Sequence, residues 1–275
     1  MILGAITVYP FIYAVNESFH GRVLTRPQWG IPFVGFRNYV EAFAGFNLSF
    51  LHSLSITLVF TSCSVAASLI LGIAISLFLL ESEMKGKRLI QSLLLIPMVM
   101  SPVVVGFFWR FMYNELIGII PYFLRLARIP HNSILGSADS ALPAVIIVDI
   151  WEWTPFTILV CLAGLAALPI EPFESAKLDG ASKWQIFRYI TLPLLRPTLM
   201  VALIFRTIDA FKTFDSIYIM TKGGPGVATE TLTLMGYKVG FEFFQMGTAS
   251  AYAILMLVIG IIFTNSYLKL LRTRS

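Results

Sequence analysis

Two stretches of this sequence place ionisable side chains inside otherwise apolar runs. Asp149-Ile-Trp-Glu-Trp153 sets two carboxylates beside two indoles, and Arg206, Asp209, Lys212 and Asp215 follow one another at steps of three. Carboxylates accept hydrogen bonds from hydroxyl groups, and indole faces stack on the apolar faces of pyranose rings. A site formed by Asp149, Trp151, Glu152, Trp153, Asp209 and Lys212 would therefore suit a polyhydroxylated ring. Other roles fit the same residues. Asp209 and Lys212 share one helical face and could form an internal ion pair. Trp151 and Trp153 could belong to an interfacial aromatic belt. On a helix these two indoles point apart by roughly 200°, so at most one faces a common cavity.

The elements that must position them are membrane spans. Hydrophobic residues make up 57% of the 275 and charged residues 13%, and the mean hydropathy is +0.81. A soluble domain carries about twice that share of charge, so a soluble fold is excluded. A bilayer core of about 30 Å needs about 20 helical residues. Six apolar stretches approach or exceed that length, at about 1–18, 52–80, 89–112, 142–168, 198–220 and 247–271. The expected fold is all-α, a single polytopic domain of six transmembrane helices, with kinks at Pro97, Pro102 and Pro155. The first stretch is short and interrupted by Pro10; without a basic flank or small-residue cleavage site it reads as a span rather than a signal peptide. In this frame the two ionisable clusters fall between the middle and one outer third of the bilayer. Ionisable groups at such depth are functional candidates by default.

Basic residues set the expected orientation. With both termini inside, Lys85, Lys87, Arg88, Lys177, Lys183, Arg188, Arg196, Lys269, Arg272 and Arg274 lie inside, and Arg22, Arg26, Arg37, Arg125, Arg128, Lys222 and Lys238 lie in the longer outer segments. Basic density favours this arrangement. The net charge of +5 therefore reads as anchoring and topology rather than a nucleic-acid surface. Ser64, Ser68, Gly72 and Ser76 form a small-residue stripe, which reads as a helix-packing face. Cys63 and Cys161 show no disulfide framework or metal-ligand spacing. His20, His52 and His131 are too far apart to act as ligands together and read as loop or interfacial residues.

Between the fourth and fifth stretches, residues 169–197 are too polar to span and too patterned for a linker. Pro172 suits a first helical turn and Glu174 the positive helix N-terminus. Gly180 should stop that helix. Ser182 with Gln185 is a capping box for a second short helix, which Pro193 and Pro197 should end before the fifth span.

Glu174-Ser175-Ala176, three residues, Gly180, nine residues, then Ile190-Thr191-Leu192-Pro193 resembles the EAA loop of ABC importer permeases. Ser175 is the one departure, a small residue for the middle alanine. The resemblance continues along the chain in Val34-Gly-Phe-Arg-Asn-Tyr39, Leu95-Ile-Pro-Met98, Trp109-Arg110, Trp151-Glu-Trp153, Ala163-Gly-Leu165, Thr221-Lys-Gly-Gly-Pro-Gly226 and Thr229-Glu-Thr231, and is to the carbohydrate-type permeases. It implies a type I importer permease fold in a bacterial or archaeal cell membrane. It further implies that Glu174, Ser175, Ala176, Asp179, Gly180, Ile190, Leu192 and Pro193 belong to a cytoplasmic coupling loop. Ala176 and Gly180, small and four apart, would allow close approach of a partner. The partners implied are a second permease subunit, two ATPase subunits, an extracellular solute-binding protein, membrane lipid and a sugar, polyol or glycerol phosphate.

No phosphate-binding loop of the Gly-x4-Gly-Lys-Ser/Thr type is present, and Gly223-Gly-Pro-Gly226 reads as a turn. No common hydrolase motif occurs either. ATP and magnesium would then reside on a partner ATPase, with no cofactor on this chain. A gradient-driven secondary carrier and a structural membrane subunit are the competing readings. The absence of an internal repeat weighs against the first.

Overall fold

The computed structural model describes residues 2–26, 28, 30–43, 48–81, 85–130 and 133–272. His131 lies outside the described residues. In chain order the helices are α1 (Ile2–Ser18), α2 (Arg37–Phe43), α3 (Leu48–Glu81), α4 (Lys87–Leu94), α5 (Ile96–Val99), α6 (Pro102–Met112), α7 (Ile119–Leu126) and α8 (Ala138–Ala166). They continue as α9 (Glu171–Leu178), α10 (Lys183–Ile186), α11 (Leu192–Phe211), α12 (Asp215–Thr221), α13 (Leu232–Tyr237) and α14 (Met246–Arg272). π-Helical turns at Phe187–Thr191 and Lys238–Glu242 join α10 to α11 and extend α13.

Among the described residues, four helical stretches are long and apolar enough to cross a bilayer: 50–80, 138–166, 183–211 and 246–266. The bent pair 87–99 and 102–112, counted as one span, makes a fifth. α1, at 17 residues with Pro10 inside, is a little shorter than the roughly 20 a straight span needs.

The core forms where α3 meets α8. The serine stripe lies on this seam, with Ser64, Ser68 and Ser76 fully buried. Ser76 donates to the Ile158 carbonyl at 3.2 Å. At Gly72 even a methyl group would sit 2.4 Å from Thr157 Cγ2, so the glycine permits the close approach that the small-residue stripe predicts. The same device recurs at Gly164, where an added Cβ would come within 2.7 Å of Leu195 and Thr198 on α11. At the far end α2 ties the N-terminal segment down: buried Asn38 donates to the carbonyls of Ser18 and His20 at 2.8 and 3.1 Å. His20 bonds the nearby Asn16 carbonyl, and His52 the Val227 carbonyl from the far part of the chain.

Two spans depart further from a continuous helix than the kinks expected at Pro97 and Pro102. The third is broken, its halves meeting at 96°. Met100 and Ser101 are extended there, because the residue before Pro102 is driven out of the helical region. The fifth neither begins at 198 nor reaches 220 unbroken. Its helix runs continuously from Lys183 to Phe211, so Pro193 and Pro197 do not end the second loop helix. Pro193 sits at the first turn after the π-helical turn, which widens the helix next to a residue that lacks an N–H. The chain then breaks at Lys212–Phe214 before α12 resumes.

Candidate functional site

The two breaks face each other. α12 packs on α6, with Gly106 so close to Ile219 that a Cβ would lie 2.9 Å from its Cβ. Arg110 donates to the Ile219 carbonyl at 3.1 Å. Between the breaks lies a cavity of about 110 Å³, lined by Pro102, Glu152, Trp153, Asp209, Lys212 and residues 213–216. Irregular backbone at membrane depth is tolerated where it lines such a cavity. Four of the six residues assigned from sequence to a substrate path therefore converge there: Glu152, Trp153, Asp209 and Lys212.

The other two lie off the cavity. Asp149 is 2% exposed and faces Arg206, whose Nη2 is 2.6 Å from its Oδ2. Trp151 points to the opposite side of α8, as the 200° offset requires. It stacks on Phe108 with ring centroids 6.4 Å apart and meets Trp109 edge-on at 5.4 Å, within the core.

Arg206 organises the site; the sequence reading placed it in the ionisable cluster of the fifth span but not among the residues of the substrate path. It is 1% exposed. It also donates to Asp209 Oδ2 at 3.1 Å, and its guanidinium lies 5.2 Å from the centroid of the Trp153 ring, within cation–π range. The Asp209–Lys212 pair considered from sequence exists only as a 3.8 Å contact with Lys212 largely exposed. The sequence put Asp149 and Arg206 at matching depth on two spans but offered no means of pairing them across 57 residues.

At the opposite end of α8, α9 and α10 form the helical hairpin. Pro172 lies in the first turn of α9 with Glu171 and Glu174 beside it. The Gly180 N–H bonds the Lys177 carbonyl at 3.1 Å and the Ala181 N–H the Ala176 carbonyl at 2.9 Å. This is a Schellman stop, with Gly180 left-handed at φ +75°. Ser182 and Gln185 close both arms of the capping box. Glu174, Ser175, Asp179 and Gly180 are exposed, and Ala176 is half-buried. Nothing in the described chain lies within 4 Å of a Cβ built on Gly180. Ile190 is half-buried in the π-helical turn, followed by half-buried Leu192 and exposed Pro193. A cavity of about 630 Å³ separates the hairpin from the ends of α3 and α8. Leu178 (89% exposed), Trp184 (68%) and Tyr189 (75%) project from this otherwise polar hairpin. The sequence reading passed over them, although large apolar side chains in a polar loop are a docking signal.

Residues 68–274 match the family described as binding-protein-dependent transport system inner membrane component. The chain is 40% identical over 280 residues to the trehalose/maltose transport system permease protein MalF of Thermococcus litoralis, covering 100% of this chain and 93% of that protein. It is 34% identical over 283 residues to the sulfoquinovosyl glycerol transport system permease protein SmoG of Agrobacterium fabrum, covering 100% and 88%. A crystal structure of a bacterial ABC transporter involved in the import of the acidic polysaccharide alginate superposes with a TM-score of 0.86 at 22% identity, covering 100% of this chain and 92% of that one. This agreement is one of fold. The spans, the fold and the match across three-quarters of the length converge: the chain belongs to the inner membrane components of binding-protein-dependent transport systems, the permease subunits of ABC importers, and is a transport protein rather than an enzyme.

Proposed function

We propose that this permease conducts a carbohydrate. In this reading the cavity between the broken spans is half of the path. Glu152, Trp153, Asp209 and Lys212 line it, and Asp149 and Arg206 hold it in place. The observation that carries the reading is the convergence of an indole and three carboxyl groups on one cavity where two spans break. Relatives whose names specify trehalose/maltose and sulfoquinovosyl glycerol support it. At about 110 Å³ the cavity is well below the roughly 300–1,000 Å³ of a small-molecule site. A second permease subunit, a different chain, completes it.

The α9–α10 hairpin is the coupling element and faces the cytoplasm, where the basic density lies. Glu174, Ser175, Ala176, Asp179 and Gly180 contact an ATPase, and Ile190, Leu192 and Pro193 carry its movement into α11. An eight-residue helix is not stable by itself, and this one stands over a cavity with Leu178 exposed, so a partner surface is needed to hold it. Two ATPase subunits hold ATP and magnesium; this chain binds no cofactor. A solute-binding protein docks at the opposite end; that such a partner exists is supported by the alginate importer solved in complex with its pentasaccharide-bound periplasmic protein.

The test is reconstitution of the complete importer in vesicles with radiolabelled trehalose. Uptake should require ATP and the binding protein. Uptake that proceeds without the ATPase under a proton or sodium gradient would instead make the chain a secondary carrier.

A further inference from the structure

Four carboxyl groups gather around the half-site, Asp149, Glu152, Asp209 and Asp215, against two cations, Arg206 and Lys212. Arg206 is turned toward the protein: its terminal nitrogens reach Asp149 and Asp209, and it is 1% exposed. Among the described residues lining the cavity Lys212 is the one cation, and it stands beside Asp209. With Glu152 ionised the balance is two negative charges; with Glu152 protonated it is still one.

Glu152 is the decisive group. It is 2% exposed, it lines the cavity, and among the described residues it has no hydrogen-bond or ion-pair partner. A buried carboxyl group without a partner is unfavourable, and in either protonation state it can accept a hydrogen bond. A hydroxyl group entering the cavity beside Trp153 supplies the missing donor. A phosphate, sulfonate or carboxylate supplies no donor when ionised. It would also bring like charge against Glu152, Asp209 and Asp215.

We propose that this half-site selects uncharged polyhydroxylated substrates and rejects anionic ones, with Glu152 as the discriminating residue. The inference rests on the cavity being part of the translocation path, and it narrows the substrate to neutral sugars and polyols, excluding glycerol phosphate and acidic saccharides.

Trehalose and trehalose 6-phosphate are a matched neutral and anionic pair. The complete transporter in nanodiscs, without nucleotide, is titrated with each by calorimetry. Trehalose should bind at least about tenfold more tightly than its phosphate. Glu152→Gln, which keeps shape and acceptor but removes the charge, should narrow that gap several-fold. Asp215→Asn, at the exposed rim, should narrow it less. Equal binding of the two sugars by the wild type overturns the proposal, as does a gap that Glu152→Gln leaves unchanged. Trp153→Ala separates the two levels of the argument. If it weakens both sugars while no charge preference exists, only the selectivity inference fails. If it affects neither sugar, or neither binds to the wild type, the cavity is not the path and the selectivity inference fails with it.

Discussion

Arg206 Nη2 stands 2.6 Å from Asp149 Oδ2, and this contact joins α11 to α8 with the two side chains only 1% and 2% exposed. Pairing two charges so deeply gains little over an apolar contact, but removing one partner leaves an uncompensated charge and costs about 3–5 kcal/mol. Arg206→Ala should therefore lower the thermal stability and the membrane yield of the assembled complex. Arg206→Gln combined with Asp149→Asn removes both charges and should recover most of the stability. Because the double variant releases Asp209 and Trp153 from the guanidinium, its uptake should remain impaired. Full uptake in the double variant would mean that Arg206 does not position the cavity wall.

Lys212 should behave differently. Its 3.8 Å contact with Asp209 leaves it 67% exposed, and exposed pairs contribute at most about 1 kcal/mol. Lys212→Met should leave assembly and melting temperature within error of the wild type. Any loss should appear in uptake alone. A stability loss as large as that of Arg206→Ala would mean that Lys212, and not Arg206, is the main cation of the cluster.

The α3–α8 seam offers a packing test. A side chain at Gly72 would collide with Thr157, whose Cγ2 lies 2.4 Å from the built Cβ. Overpacking of this kind costs about 1–3 kcal/mol. Gly72→Val should reduce the yield of folded complex, measured by size-exclusion profile. Thr157→Gly in the same chain should restore part of it. Gly260, with open space around it, is the control: Gly260→Val should be tolerated.

What was legible in the sequence follows from how local each feature is. The Schellman stop at Gly180 and the capping box at Ser182 depend on neighbours within six residues, so their pattern is readable in the chain. The stripe at Ser64, Ser68, Gly72 and Ser76 is likewise periodic. The partner of Arg206 lies 57 residues away on another helix, and no spacing rule reaches it. The broken third span was only half legible. Pro97 and Pro102 announce a kink, but the 96° turn depends on α6 having α12 to pack against. The continuity of α10 into α11 was hidden for the opposite reason: a π-helical turn absorbs the proline that should have ended the helix.

Sidedness is open to direct measurement. In a background with Cys63 and Cys161 replaced by serine, Lys183→Cys lies on the hairpin, and Leu116→Cys, at 88% exposure, lies after α6 at the opposite end. An impermeant maleimide added to right-side-out vesicles should label position 116 and not position 183, and inverted vesicles should give the reverse. Labelling of both positions from one side would break the proposed orientation of the hairpin toward the ATPase.

Gly180 separates backbone strain from partner contact. Its φ of +75° strains any L-residue, and a β-branched one most, by about 1–3 kcal/mol. The described chain leaves open space around it, so a side chain there collides with nothing unless a partner is docked. Gly180→Asn is the informative comparison, because asparagine accepts the left-handed region yet adds bulk. Both variants should insert normally and bind the solute-binding protein. Gly180→Val should lose substrate-stimulated ATP hydrolysis and uptake, through strain in the Schellman stop and through bulk at the contact. Gly180→Asn should keep the hairpin and still lose most of the coupling if an ATPase surface closes over this point. Leu178→Ala and Trp184→Ala, which remove exposed apolar contacts, should weaken ATPase co-purification by more than Glu174→Ala does, since packed apolar anchors outweigh rim charges. Wild-type turnover in Gly180→Asn with loss only in Gly180→Val would assign the glycine to backbone geometry alone and move the docking surface elsewhere on the hairpin. Wild-type turnover in both would remove the hairpin from the coupling pathway.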